Sequence, residues 1–303
     1  MPPAPAPTPA ATPAPAADDE HVGAAATAPI RHPGRWTQVV LVIVVGLLIR
    51  LALSAASIGT NDILTWRKFA GAVHDQGLVA SYQNIRELNH PPLPALWAAA
   101  SLQIADASGL RFPFVFRLPS ILADVVSCVL LAMIWRRRVA RGTAPRAAPV
   151  RAVTAMALSP VAILIGAYHG NTDNVYAALC LLAAFALADL RRPFVAGLSL
   201  AAAMNVKLIP VVLVLPLAAC CANVGAVGFF GAGLIVGGLP LLVMMFLAGG
   251  AFIRNVLSYT AQRDRWGLTY ALSLLQESAN PATRRVGDAI AERYYHVFGR
   301  WIA

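Results

Sequence analysis

The sequence predicts an all-α, polytopic membrane protein, a bundle of about seven transmembrane helices with two juxtamembrane helices in its first outer loop. Three observations predict this class: an apolar composition, apolar runs of membrane length, and arginines grouped between those runs. Of the 303 residues, 58% are hydrophobic and 13% are charged, and the mean hydropathy is +0.64. A soluble domain would have too few charges to cover that apolar surface. The net charge of +10 is then typical of membrane-flanking loops, and no nucleic-acid partner is expected.

The chain divides into three predicted parts. Residues 1–35 are rich in Pro and Ala and lack periodicity, which predicts a disordered cytoplasmic tail; it is no signal peptide, because its extreme N-terminus carries no positive charge. Residues 36–250 form the predicted transmembrane core, and residues 251–303 an outer, amphipathic C-terminal segment. The predicted spans are 36–58, 113–135, 151–168, 173–190, 194–205, 208–222 and 226–249.

Arginine blocks set the predicted orientation. The segment WRRRVARGTAPRAAPVR, residues 135–151, predicts a cytoplasmic loop, and Arg31 and Arg35 place the N-terminus on the same side. Residues 59–112 must then lie outside. We therefore expect an integral protein of the plasma membrane whose N-terminus is cytoplasmic and whose active face is extracytoplasmic.

The first outer loop is predicted to hold two helices along the membrane surface. The first begins near Asp62, and residues at helical spacing give it one apolar face: Ile63, Trp66, Ala70 and Val73. The second covers the apolar segment 91–105. It cannot span, because a crossing there would carry the next arginine block to the wrong side of the membrane.

Two later segments bring more polar groups to the same side. The short connection GAYHGNTDN places His169 and Asp173 between the third and fourth spans. Residues 194–222 read either as one tilted helix or as a hairpin of two short helices broken at Asn205, Val206 and Lys207. We favour the hairpin, because a lysine in the middle of a bilayer costs about 2.5 to 3.5 kcal/mol.

The outer side thus gathers acidic and basic side chains. They are Asp62, Asp75, His90, His169, Asp173, Lys207, Arg254, Arg263 and Arg265. Such a set suits transfer of a sugar from a lipid phosphate, in which a carboxylate deprotonates an acceptor hydroxyl while fixed cations stabilise the departing phosphate. One base suffices, since a phosphate needs little protonation to leave, and this favours a single inverting displacement.

Several short motifs resemble those of one superfamily. In chain order they are Asp62 after the first span, NHPPLPALWAAA, RLPSILADV, HGNTDN, NVKLIP and YTAQRDRWGL. Together they resemble the GT-C superfamily of integral-membrane glycosyltransferases, over roughly residues 36–270. The resemblance is to its polyprenyl-phosphate-sugar-dependent branches, among them glycosyltransferase family 87 and the dolichol-linked mannosyltransferases.

The resemblance implies roles for individual residues. Asp62 corresponds to the family's catalytic acidic residue, and Asp173 to a second acidic position. Lys207, Arg263 and Arg265 correspond to positions that hold the donor phosphate. His169 and His90 join Asp173 as candidates for contacting the acceptor or a metal. No cofactor is firmly expected beyond the polyprenyl-phosphate sugar itself, and a divalent metal is less favoured than metal-independent catalysis.

Each assignment has a structural alternative. Asp62 and Asp173 each lie where an acidic residue caps the following helix, and both histidines are often only structural hydrogen-bonding groups. Lys207 and Arg50 would extend along their helices to the interface. Asp124, on the same face of the second span as Arg117, would make a polar bond inside the bundle. All four cysteines read as small buried apolar residues: Cys128, Cys180, Cys220 and Cys221.

The predicted function is transfer of a hexose or pentose, mannose-like by preference, to a glycan, lipid or protein acceptor. One alternative is a transporter or flippase, in which Asp, His and Lys would line a cavity. Another is an inactive or partner-dependent module, because family members usually continue through further spans after the WG-containing loop. That alternative predicts a second membrane subunit as partner.

Overall fold

The computed structural model describes residues 34–258 and 267–302, and within that part every regular element is helical. This confirms the predicted all-α class. The predicted tail 1–35 lies almost entirely outside the described residues, as do Arg263 and Arg265. The helices are α1 Gly34–Ala56, α2 Asn61–Gln76, α3 Leu78–Asn84, α4 Pro92–Ser108, α5 Phe112–Ala140, α6 Ala148–Ala157, α7 Pro160–Ile163, α8 Asp173–Ala188, α9 Pro193–Val206, α10 Val214–Ala219, α11 Val224–Phe252, α12 Gly267–Gln276 and α13 Pro281–Ile302.

Three described helices are long and apolar enough to cross a membrane: Trp36–Ala56, Phe112–Ala140 and Val224–Leu257. A fourth candidate is a bent pair, in which α6 meets the helical stretch Pro160–His169 at 46°. The other predicted spans correspond to shorter apolar helices, α8, α9 and the segment Ile209–Ala219. The chain is therefore a polytopic membrane protein, whereas the count of seven spans stays a prediction.

Close packing of α9 against α11 organises one half of the bundle. Gly233 and Gly237 of α11 form a small-residue pair four positions apart, and Gly197 of α9 lies directly against the α11 backbone at Phe230. Small residues let helix backbones approach closely in a membrane, where the hydrophobic effect does not hold helices together. The predicted break follows, since α9 ends at Val206 and Lys207 is extended. Residues 209–219 then pack back on the cluster formed by α8, α9 and α11.

A buried polar network joins α1, α5, α6 and α8. Arg50 Nε donates to Asp124 Oδ2 at 2.7 Å, and Asn174 Nδ2 donates to Asp124 Oδ1 at 2.7 Å. The guanidinium also donates to the carbonyl oxygens of Met156 and Ala157. Met156 precedes Pro160 by one helical turn, and proline has no N–H to donate to that carbonyl.

The prediction that Arg50 extends to the interface is therefore wrong. Its side chain is 2% exposed, because it faces Asp124 and the backbone carbonyl oxygens of Met156 and Ala157 at the end of α6. The polar bond predicted for Asp124 is confirmed, with Arg50 and Asn174 as its partners. Of the cysteines, Cys128 is buried, Cys180 and Cys221 are partly buried, and Cys220 is exposed, contrary to the prediction for that residue.

The segment between α1 and α5, which the sequence predicts to lie outside, forms a platform, by which we mean α2, α3 and α4. The predicted apolar face of α2 is buried, and Phe69 adds to it. The loop contains three helices where two were predicted, because the short α3 follows α2 after Gly77. The platform is joined to α5 by stacked Trp97 and Phe116, whose ring centroids lie 4.9 Å apart, and by the Trp97 indole N–H, which donates to the Phe116 carbonyl oxygen.

The two ends of the bundle differ in chemistry. One end carries the arginines at the C-terminal end of α5: Arg137 donates to the Asp189 carbonyl oxygen at 2.7 Å, and Arg141 pairs with the Asp189 carboxylate at 3.1 Å. The other end collects the C-terminal ends of α1 and α9 and the N-terminal ends of α5 and α8. The polar residues predicted to form a site lie at this second end.

Candidate functional site

The N-terminal part of α5 positions two turns of the chain at the site. Arg117, fully buried, donates to the carbonyl oxygens of Ser54, Ser57 and Ile58 at 2.6 to 3.3 Å. The last carbonyls of a helix have no partner within the helix, and Arg117 satisfies that of Ser54 in the last turn of α1 together with those of Ser57 and Ile58 just after it. One turn further along α5, the Ser120 hydroxyl donates to the Asn171 carbonyl oxygen at 2.9 Å.

Two glycines allow these turns to approach each other. Gly59 has φ +93°, and a Cβ atom there would overlap the Arg117 guanidinium and the Tyr168 carbonyl oxygen. Gly170 has φ +76°, and a Cβ atom there would overlap the Ile63 side chain. Both need left-handed backbone and the absence of a side chain. The turn before α2 and the turn before α8 are thereby brought into contact.

The contact creates a polar group of three side chains, Thr60, Asp62 and His169. His169 Nε2 lies 3.6 Å from Asp62 Oδ2, with the two side chains 32% and 39% exposed. On the other edge of the ring, His169 Nδ1 lies 2.8 Å from the Thr60 hydroxyl. Among the described residues no backbone N–H donates to Asp62, and the residue at the N-cap of α2 is Thr60. Asp62 is therefore not the N-cap, but it is an acidic residue in the first turn of α2, where the helix dipole favours a negative charge.

Beside the group of Thr60, Asp62 and His169 lies a second pair of side chains, Lys207 and Asp173, which is charged. Lys207 Nζ donates to Asp173 Oδ1 at 2.6 Å, and Asn171 Nδ2 donates to Asp173 Oδ2 at 3.2 Å. The Lys207 ammonium also lies 5.7 Å from the centre of the Tyr176 ring. Both charged side chains remain about one-third exposed, at 38% for Lys207 and 29% for Asp173. Lys207 therefore reaches the polar end of the bundle and is not merely directed along its helix.

His90 lies at the same end of the bundle. Its ring lies 4.6 Å from that of Trp66, one turn along α2 from Asp62. Burial, reinforced by the positive charge of Lys207 and opposed by Asp173, lowers the pKa of His90 from 6.5 to about 4. His90 is therefore neutral at physiological pH. Its Nδ1 is buried without a hydrogen-bond partner among the described residues.

The backbone around His90 is fixed from both sides. The Tyr82 hydroxyl donates to the His90 carbonyl oxygen at 2.6 Å, and burial raises the pKa of Tyr82 above its ordinary value. Asn255, in the turn that extends α11, donates to the carbonyl oxygens of Tyr82 and Ile85 at 2.8 and 3.1 Å. The turn that follows the C-terminal end of α11 thus supports the platform next to His90.

Five of the seven predicted site residues therefore meet at one end of the bundle: Asp62, His90, His169, Asp173 and Lys207. The remaining two, Arg263 and Arg265, lie outside the described residues. Sequence reasoning missed Thr60, Asn255 and the role of Arg117. Of these, only Arg117 carried a signal, as an arginine near the start of an apolar span.

The arrangement has the chemical elements of an acid–base site next to an anion site. Asp62 is an accessible carboxylate beside an imidazole, and Lys207 has two further N–H donors beyond the one given to Asp173. No group of three or more His, Cys, Asp or Glu side chains suited to a metal ion occurs in residues 34–258 and 267–302. Whether a metal takes part stays a prediction.

Comparison with known proteins identifies the family. The family model described as glycosyltransferase family 87 matches residues 90–276, which is well over half of the chain. The match contains His90, His169, Asp173 and Lys207, whereas Asp62 lies before it. No curated protein and no solved structure matches the chain. The all-α membrane fold agrees with the family match, and the chain belongs to glycosyltransferase family 87, a family of GT-C-type membrane glycosyltransferases.

Proposed function

We propose that this glycosyltransferase moves a sugar from a polyprenyl-phosphate carrier to an acceptor hydroxyl in a single inverting displacement. The observation that carries the proposal is the placement of Asp62 and Lys207, a free carboxylate and a cation, at the same end of the bundle. That end adjoins long apolar helices able to hold a lipid chain. A donor with a lipid tail and a charged phosphate needs both features.

Asp62 is the proposed general base. Its carboxylate accepts the proton of the acceptor hydroxyl, the acceptor oxygen bonds to the anomeric carbon, and the bond from that carbon to the phosphate oxygen breaks. The electron pair leaves with the phosphate, so no general acid is required. The carboxylate suits this role because it is exposed and bound only by a long contact to His169 at 3.6 Å.

Lys207 is the proposed ligand of the donor phosphate. Its ammonium is held at the site by Asp173 and retains donors for phosphate oxygens. A phosphate arriving there would share Lys207 with Asp173, and the three groups together would carry one net negative charge before the reaction. As the sugar–phosphate bond breaks, negative charge grows next to this fixed cation. Arg263 and Arg265 are proposed to add to the same phosphate site.

The finer details of the substrate are also proposals. A mannose-like hexose is favoured as the sugar, and a cell-envelope glycan, a lipid or a protein as the acceptor. The arginines at the C-terminal end of α5 lie at the end of the bundle opposite the site, which supports an extracytoplasmic site and a cytoplasmic N-terminus in the plasma membrane.

The experiment measures sugar release and transfer from a panel of radiolabelled polyprenyl-phosphate sugars by the full chain in lipid vesicles. The unmodified protein is compared with Asp62→Asn, which preserves shape but cannot accept the proton. Asp75→Asn is the matched control, because Asp75 is an exposed acid on the same helix. We expect Asp62→Asn to lower turnover by at least about 100-fold, and Asp75→Asn to leave it unchanged.

Each outcome of this experiment supports a different conclusion. Loss of turnover only in Asp62→Asn, with donor binding retained, supports both the donor class and the base. Equal turnover by Asp62→Asn and the unmodified protein would remove Asp62 from the mechanism. Uptake of a labelled substrate into vesicles without any sugar transfer would instead favour a transporter.

A further inference from the structure

The Thr60 hydroxyl makes two contacts with His169 that constrain where the imidazole carries its proton. The hydroxyl oxygen lies 3.0 Å from the His169 carbonyl oxygen and 2.8 Å from His169 Nδ1. A carbonyl oxygen only accepts, and a hydroxyl has a single proton to donate. Both contacts are satisfied together when Thr60 donates to the carbonyl and accepts from Nδ1–H.

This arrangement determines whether the His169 nitrogen that faces Asp62 carries a proton. A neutral imidazole has one N–H, so protonation of Nδ1 leaves Nε2 with a lone pair. Nε2 is the atom that lies 3.6 Å from Asp62 Oδ2. A proton acceptor is thus held next to the carboxylate, and the two groups become good hydrogen-bonding partners only when a proton is present between them.

We propose that His169 is a relay residue that receives the proton Asp62 removes from the acceptor hydroxyl. This inference rests on the proposed function. The proton moves first from the acceptor oxygen to Asp62 and then to Nε2, which turns the imidazole into an imidazolium and restores the carboxylate. His169 finally releases the proton to water, so the cycle neither gains nor loses a proton or an electron pair.

The surroundings suit such a relay. His169 is 32% exposed, so water can reach the ring. Thr60 fixes the ring from one edge, and Gly170 keeps its turn close to α2. The imidazolium would also form a charged pair with the restored carboxylate, which stabilises it until the proton leaves. His169 acts through Asp62 and contacts neither the donor nor the acceptor, so its role is to support the base.

The first test uses chemical rescue. In the vesicle assay His169→Ala is expected to lower kcat about 10-fold or more with KM for the donor little changed. Added imidazole should restore part of kcat, and methyl-substituted, more basic imidazoles should restore more. A residue with only a structural role would not give a rate that depends on the basicity of the added molecule. His74→Ala is the matched control, since His74 is an exposed histidine on α2 that contacts Gln103 at 3.3 Å.

The outcomes distinguish this inference from the proposed function. Turnover lost in Asp62→Asn but unchanged in His169→Ala would overturn the relay and leave the proposed function standing. A loss in His169→Ala that no imidazole restores, with correct folding, would also overturn the relay. If the unmodified protein releases sugar from no donor, both proposals fall.

A second measurement needs no activity. ¹⁵N spectra of histidine-labelled protein at about pH 8, where an ordinary histidine is neutral, show which ring nitrogen carries the proton. The His169 signals are those that disappear in His169→Ala. We expect Nδ1 to be protonated and Nε2 to be bare, with the preference lost in Thr60→Val. A protonated Nε2 in the unmodified protein would overturn the relay.

Discussion

Two pairs of a carboxylate and a basic side chain lie in this bundle in contrasting surroundings. Arg50 and Asp124 meet at 2.7 Å, and each side chain is 2% exposed. Asp62 and His169 approach only to 3.6 Å, and both are about one-third exposed. In the first pair both carboxylate oxygens accept hydrogen bonds, from Arg50 and Asn174. In the second pair the carboxylate has room for another partner.

The contrast distinguishes a charged pair that stabilises the fold from a pair that is available for catalysis. A buried charge pair with every acceptor filled has no capacity to bind a substrate, and removing one partner leaves an uncompensated charge. An exposed pair contributes little to stability but keeps its lone pairs available. The same residue types therefore hold the helices together at one place and form the candidate site at another.

The largest effect is expected at the buried pair. Arg50→Met leaves Asp124 charged and without its main partner, and should lower the free energy of unfolding by about 3 to 5 kcal/mol. The measurement is equilibrium unfolding of the purified protein in detergent. His169→Ala, its counterpart at the exposed pair, should cost less than about 1 kcal/mol.

A double variant sharpens this comparison. Arg50→Met combined with Asp124→Leu removes both charges and should recover much of the lost stability, since a buried charge pair is often replaceable by apolar side chains. Equal stability of Arg50→Met and His169→Ala would contradict the distinction between the two pairs.

The next effect concerns pH and His90, the buried neutral histidine beside the second charged pair. Its pKa is about 4 in the folded protein and near 6.5 in the unfolded chain. Between these values the unfolded chain holds a proton that the folded protein does not, so the free energy of unfolding rises with pH. The contribution is fully present above about pH 6.5 and falls on acidification, by at most about 3 kcal/mol near pH 4.

The measurement compares unfolding of the unmodified protein and His90→Gln between about pH 7 and pH 4. The unmodified protein should lose more stability than the variant over this range. Parallel pH curves for the two proteins would show that burial does not hold His90 neutral.

Much of the fold followed from patterns along the chain. Helical spacing predicted the buried face of α2, and the cost of a lysine in a bilayer predicted the break at Lys207. Polar residues confined to outer turns predicted that Asp62, His169 and Asp173 share one end. These features depend on the periodicity of apolar residues and on whether a segment lies in lipid or in water. Both can be read from one sequence.

The pairings inside the site could not be read in this way. Arg117 and Asn255 bind backbone carbonyl oxygens of distant segments, and every residue offers the same carbonyl group. Nothing in the sequence indicates which carbonyl groups will lack a hydrogen-bond partner. Arg50 was misassigned for the same reason, since its carbonyl partners become available only where Pro160 interrupts a neighbouring helix.

A last variant tests how the exposed pair is assembled. Gly59→Ala places a methyl group against the Arg117 guanidinium and the Tyr168 carbonyl oxygen, in backbone with φ +93°. The turns before α2 and α8 should separate, which moves Asp62 away from His169. We expect about 1 to 3 kcal/mol lower stability and about 10-fold or greater loss of sugar transfer.

Gly109→Ala is the control, because Gly109 has φ +70° with open space around it and therefore carries the backbone strain without the overlap. If both variants lose activity equally, backbone strain alone explains the loss; if only Gly59→Ala does, the close approach of the two turns is what brings Asp62 and His169 together.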